Sequence, residues 1–263
     1  MKKFISILTL VIMFASVLHI QPVYAAESEI PYNSKSKVLE IKELQKKSID
    51  EKIILKTLRQ NKSLCLLTYQ SDYKTIYLNS NTSLREITTS DSGKETSGIV
   101  TCDTYCSNYD KTANVRCGVP GTFSCSATGW AYVGYNITVK GTGSSEAIIS
   151  PSAYLKGAFF NCNVNGNEGD VEVKVRVYDL TDDNHVDKTL FDSSSPSFGG
   201  KTINECINGG MQYKFKGGHD YVIQYILTSN VSAWGIGGVG SNFYRDSQFP
   251  DRGLEVDSID IDF

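Results

Sequence analysis

Residues 171–178 read VEVKVRVY, with Val171, Val173, Val175 and Val177 on one parity and Glu172, Lys174 and Arg176 on the other. Alternate side chains of a strand point to opposite faces, so this period predicts a β-strand with four valines in a core and a charged row on a wet face. DYVIQYILT (220–228) is apolar on both parities, which suits a strand in the middle of a sheet. YVGYNITVK (132–140), AYLKGAFF (153–160) and MQYKFK (211–216) read as further strands. The terminal LEVDSIDIDF contains a slip: Leu254 and Val256 share one parity, Ile259, Ile261 and Phe263 the other. One extra residue at Asp257–Ser258 restores a single buried face, so a β-bulge is expected there.

Many short strands, glycine-rich connectors and no helical crossovers predict an all-β antiparallel β-sandwich or jelly roll over about residues 100–263. The eleven residues FKGGHDYVIQY resemble the corner of immunoglobulin-like sandwiches, and the resemblance gives Tyr221 the corner role.

The N-terminal side has a different period. Residues 36–61 contain no Gly or Pro; Val38, Ile41 and Leu44 suggest one helix ending near Lys47. Ser48 and Glu51 have capping-box spacing for a second, with Ile53, Ile54, Leu55 and Leu58 as its apolar stripe. The expected organisation is a signal peptide at 1–25, a short α-helical segment at 26–62 that export could remove as a pro-region, a β-hairpin and polar connector at 63–98, and the sandwich at 99–263. The signal reading rests on Lys2 and Lys3, the apolar run Phe4–Ile20, and Val23 and Ala25 at the −3 and −1 cleavage positions. It predicts a secreted, extracellular protein with no stable membrane span after signal removal. Without Lys2 and Lys3 the formal charge is 24 − 29 = −5. An acidic chain with no basic block argues against a nucleic-acid partner.

Seven cysteines occur, at 65, 102, 106, 117, 125, 162 and 206. The cluster spacing C-x3-C-x10-C-x7-C lacks paired short spacings and neighbouring histidines, so zinc and C-x-x-C redox chemistry fit poorly. Export favours disulfides among Cys102, Cys106, Cys117, Cys125, Cys162 and Cys206. A nested Cys102–Cys125 and Cys106–Cys117 arrangement is one of three connectivities, and Cys162 and Cys206 read as partners. Cys65 is left over as a buried thiol, an intermolecular link or part of a removed segment.

No catalytic residue stands out. His185 and His219 are the histidines beyond the signal, no G-x-S-x-G occurs, and a carboxylate pair is defined by distance in space, not by sequence. DLTDDNHVD gathers Asp179, Asp182, Asp183 and Asp187, oxygen ligands suited to Ca²⁺, with a polar turn as the plainer reading. The aromatics Trp130, Tyr132, Tyr135, Trp234 and Tyr244 are candidates for stacking on sugar rings, with simple packing as the alternative. Sequons lie at Asn61, Asn81, Asn136 and Asn230. The sequence thus points to a secreted, non-catalytic β-sandwich of surface-interaction or carbohydrate-binding type, with a glycan or cell-surface component as partner. The alternatives are an exported glycosidase-like hydrolase and a disulfide-linked envelope protein.

Overall fold

The valine row behaves as its period demands: Val171, Val173, Val175 and Val177 are all fully buried between two sheets in the computed structural model. The structure describes residues 47–55, 73–120, 124–162, 167–233 and 237–263, which fall within one compact unit, Asn33–Phe263. The signal segment, Cys65, Trp234 and the helix expected to end near Lys47 lie outside the described residues.

One helix, α1 (47–55), precedes fourteen strands among the described residues. The strands are β1 (Lys74–Tyr77), β2 (Thr82–Leu84), β3 (Thr89–Ser97), β4 (Thr101–Ser107), β5 (Thr112–Pro120), β6 (Cys125–Lys140) and β7 (Ser144–Asn161). They continue with β8 (Glu168–Asp179), β9 (Asn184–Ser194), β10 (Gly199–Ile207), β11 (Met211–Lys216), β12 (Asp220–Ala233), β13 (Gly238–Phe243) and β14 (Gly253–Asp262). Six form one sheet in the order β1-β6-β12-β8-β9, with β3 also on β6. Eight form the other, in the order β10-β7-β13-β5-β14-β2, with β11 on β7 and β4 on β5. The two sheets pack face to face over a continuous apolar core. The fold is an all-β sandwich, and β12 is central in its sheet, as its two apolar parities require.

Two local expectations have direct counterparts. The β14–β7 register shifts between Val256 and Ser258, so Asp257 is the extra residue and Val256, Ile259 and Ile261 all face the core. The Tyr221 hydroxyl accepts the Lys216 N–H at 2.8 Å, closing the corner between β11 and β12.

Two expectations need correction. Residues 82–84 and 89–97 are strands rather than a connector: β3 contains no apolar side chain, so it shows no alternation, yet it pairs with β6 from Thr89↔Gly134 to Ser97↔Ser126. Backbone pairing on a sheet edge needs no particular side chains. Lys74–Tyr77 is β1, paired parallel to β6, and the other arm of the expected hairpin, residues 63–69, lies outside the described residues. Ser48 does not cap a helix start: it lies inside α1, and its hydroxyl donates to Glu95 of β3 at 2.9 Å.

The cysteines are also arranged otherwise than expected: no disulfide joins any two of the six described ones. Cys106 stands opposite Ala113, four residues along the ladder from the Cys102–Cys117 pair, or about 13 Å, which precludes the nested connectivity. Cys206 stands opposite Tyr154, eight residues from Cys162 along β7, or about 26 Å, so these two cannot bridge. The Cys162 sulfur instead accepts the Gly238 N–H at 3.1 Å.

Candidate functional site

β6 is apolar on both parities because both of its faces are covered. Ala131, Val133, Tyr135 and Ile137 face the sandwich core, whereas Trp130 and Tyr132 lie on the opposite, outer face of the six-stranded sheet. There they cluster with Ile226 of β12 and with Ile49 and Ile53 of α1.

Gly93 explains the pose of the indole. It stands opposite Trp130 across β3–β6, and a Cβ at that position would fall 2.6 Å from the Trp130 Cζ2 and 2.9 Å from Cε2. The ring therefore leans over β3, in space that only glycine leaves. The Trp130 and Tyr132 rings are parallel within 7°, with centroids 6.3 Å apart. That spacing is close to the ~6.6–6.8 Å between alternate residues of a strand, so the rings tile side by side rather than stack face to face. They form an aromatic floor, and Trp130 at 2% and Tyr132 at 0% exposure show that the floor is roofed.

The registers place polar residues in the same rows. Trp130 is followed across the sheet by Thr228 and Glu172, Tyr132 by Ile226 and Lys174, and Gly134 by Gln224, Arg176 and Asp187. Thr128 is followed by Asn230 and Asp170. The charged row expected to be wet is largely covered. The Arg176 side chain is 1% exposed and grips Asp187 through two bonds of 2.7 and 2.6 Å. Asp50 of α1 lies 3.2 Å from Arg176 and 3.6 Å from Lys174, and Lys52 of α1 pairs with Glu95. Burial pushes the Asp187 carboxyl up, but the Arg176 guanidinium outweighs it and holds the group below the usual carboxylate range.

Among the described residues, several buried polar atoms of this face have no hydrogen-bond partner: Nη1 of Arg176, Oγ1 of Thr128, Oδ1 of Asn136 and Oδ1 of Asn230. Buried groups of this kind are normally paired, and each costs about 1–3 kcal/mol when it is not. Asn136 and Asn230 are buried within strands, which removes both as glycosylation acceptors in the folded protein.

The other predicted aromatics do not join this face. Tyr135 lies in the sandwich core, where burial pushes its hydroxyl well above the ordinary range. Tyr244 follows β13 on the other sheet, half-buried, with the Arg116 guanidinium 5.1 Å from its ring centre. Of the four aspartates, only Asp179 and Asp182 come together, and His219 joins them with its ligand-type atoms inside 4.8 Å. The His219 Nδ1 is 3.0 Å from Asp179, and Lys216 pairs with Asp182. Asp183 binds the Tyr178 hydroxyl, and Asp187 belongs to Arg176. Among the described residues, these three donors include one imidazole, whereas Ca²⁺ takes six to eight oxygen ligands. His185 stacks on Tyr178, with ring centres 5.9 Å apart.

Among the described residues, the Glu86, Asp182 and Asp251 carboxyls are held below the usual range by Lys74, Lys216 and Lys156.

No protein-family profile and no curated protein matches this chain. Among solved structures, it is similar to the CBM22-1 xylan-binding domain from Paenibacillus barcinonensis, at 11% identity and TM-score 0.23, over 66% of this chain and 96% of that one. It is similar also to the family 11 carbohydrate-binding module from Clostridium thermocellum, at 13% identity and TM-score 0.20, over 73% and 92%. The enzymatically active domain of bacteriophage CBA120 tailspike protein 4 gives 12% identity and TM-score 0.23, over 64% of this chain and 19% of the tailspike chain. At such scores these likenesses carry no argument about function, and the reading below rests on the geometry of the outer face.

Proposed function

We propose that this is an exported carbohydrate-binding β-sandwich protein whose binding face is the outer side of the six-stranded sheet. The observation that carries the reading is the Trp130–Tyr132 floor, laid on the face away from the core and flanked in adjacent rows by unpaired hydrogen-bonding atoms of Arg176, Thr128 and Asn230. A sugar ring offers what both halves of that arrangement need. Its C–H face packs on an aromatic ring, and its hydroxyls both donate and accept. Arg176, clamped by Asp187, is held rigid by a bidentate pair and has one Nη1 to spare for a sugar oxygen. Export is supported by the N-terminal charge, apolar run and cleavage-like ending.

The test is affinity electrophoresis of the full chain and of its Ile53→Asp variant through gels containing a panel of soluble polysaccharides. Retardation by at least one polysaccharide is expected, abolished by Tyr132→Ala and unchanged by Tyr244→Ala. If no polysaccharide retards either form, the reading fails.

A further inference from the structure

We propose that α1 is a releasable cover that keeps this face latent, so that glycan binding begins when α1 lifts. The inference rests on the carbohydrate-binding reading for the identity of the ligand, but not for the motion. Ile49 and Ile53, one turn apart, sit on Trp130, Tyr132 and Ile226. Ser48 and Lys52 reach the edge strand through Glu95, and Asp50 reaches Lys174 and Arg176. The same helix therefore covers the floor and occupies the arginine that flanks it. Asp50 stands where an anionic or hydroxyl oxygen of a ligand would be drawn, 3.2 Å from the Arg176 Nη2.

The contact is suited to release. Two apolar side chains of α1, Ile49 and Ile53, hold it on the floor, and its ion pairs with Glu95, Lys174 and Arg176 are ones that water or a ligand can replace.

The experiment uses full-length chain in a Trp234→Phe background, which leaves Trp130 as the sole tryptophan of the two. Acrylamide quenching of Trp130 and affinity for the best-retarding polysaccharide are compared in the parent, Ile49→Asp and Ile53→Asp. Lys52→Ala is a milder release variant, and circular dichroism confirms that the sandwich is folded. Ile53→Asp is expected to expose Trp130 to acrylamide and to raise the apparent affinity at least about tenfold, with Lys52→Ala shifting both in the same direction by less. If Trp130 stays shielded in both aspartate variants, the cover is refuted. If Trp130 becomes accessible while parent and variants bind equally, latency is refuted and the glycan reading stands. If Trp130 becomes accessible and no form binds, the cover stands and the glycan reading falls.

A second inference comes from the cysteines alone. Among the described residues, Cys102 and Cys117 are the one pair directly opposite each other in a ladder, and both face the core. Directly opposed antiparallel residues have Cα atoms about 4.5–5.5 Å apart, inside the range a disulfide spans. We infer that these thiols close a cross-strand bridge on oxidation by a small-molecule disulfide: two S–H bonds and one S–S bond break, one protein S–S bond forms, and two small thiols leave. Refolding in glutathione redox buffer followed by non-reducing peptide mapping should link 102 to 117 with loss of about 2 Da, and reduction should lower Tm by roughly 6–12 °C. Recovery of both as thiols, or of either bridged to another cysteine, overturns the assignment.

Discussion

Gly93→Ala tests the pose of Trp130 with one methyl group. The added Cβ would sit 2.6 Å from Cζ2 and 2.9 Å from Cε2 of the indole, against the ~3.5–4.0 Å of a relaxed carbon contact. The ring cannot simply lift by the missing ångström, because Ile49 and Ile53 press on it from the other side. Two effects compete. Alanine restricts the unfolded chain, which stabilises by about 0.4–1 kcal/mol where the native backbone accepts it. Overpacking against a covered ring costs about 1–3 kcal/mol. The clash wins, leaving a net loss of roughly 0.5–2.5 kcal/mol, or a Tm lower by about 2–8 °C in a domain of this size. Gly200→Ala is the control: its Cβ would meet only the Phe159 carbonyl oxygen at 3.7 Å, so its Tm should stay within about 2 °C of the parent. The assay is thermal unfolding followed by circular dichroism, with Trp130 emission recorded in the Trp234→Phe background. If Gly93→Ala melts with Gly200→Ala and leaves the emission unchanged, the indole does not lie over β3 and the floor as described is wrong.

Arg176 and Asp187 give a pH signature. Asp187 is held below its unfolded value, so its pairing stabilises the fold above about pH 3.9 and is lost as pH falls through the depressed native value. The stability gap between parent and Asp187→Asn, about 3–5 kcal/mol at neutral pH, should therefore close progressively below pH 3.9 in urea titrations. Tyr221→Phe removes the acceptor of the Lys216 N–H and should cost about 1–3 kcal/mol, read by the same titration at pH 7. Deleting Asp257 should turn Ile259 and Ile261 to the outer face and abolish cooperative unfolding, whereas Asp257→Ala should be nearly silent.

The sandwich was legible because its strands obey simple periods: the valine row of β8, the doubly apolar β12 and the parity slip of β14 each reported which faces are covered. β3 was not legible, since an edge strand of polar residues has no period to show. The sequence marks Trp130 and Tyr132 as aromatics that either stack on sugars or pack, and the structure covers both. The signal for that cover was in β6 itself, whose two apolar parities imply cover on both faces, and in Ile49 and Ile53 at helical spacing with nothing yet to cover. Arg176 was assigned to a wet face because period alone cannot say that a helix from 126 residues away will supply Asp50. Gly93 carries no sequence signal, because its role exists only opposite Trp130. The cysteines misled for a related reason: spacing suggests partners along the chain, whereas bridging depends on register across strands.

The outer face invites two explanations, a docking site for α1 or a ligand site that α1 occupies, and its polar atoms separate them. Receiving the apolar side of a short helix needs apolar neighbours such as Ile226, and Ile49 and Ile53 meet that need. Arg176 answers Asp50 of the helix, but docking needs neither its clamp on Asp187 nor its spare Nη1. Apolar residues of similar size in place of a buried ion pair are often neutral or stabilising by about 1–4 kcal/mol, so the Arg176–Asp187 pair adds nothing that holding the helix requires. The unpaired atoms of Arg176, Thr128 and Asn230 are net costs while the helix is seated. These costs also lower the barrier to opening, because each such atom regains a partner in water or on a sugar once α1 lifts. A face that is apolar enough to hold a helix, and polar enough to gain when the helix leaves, is poised between the two states. The proposed latent binding site rests on that balance.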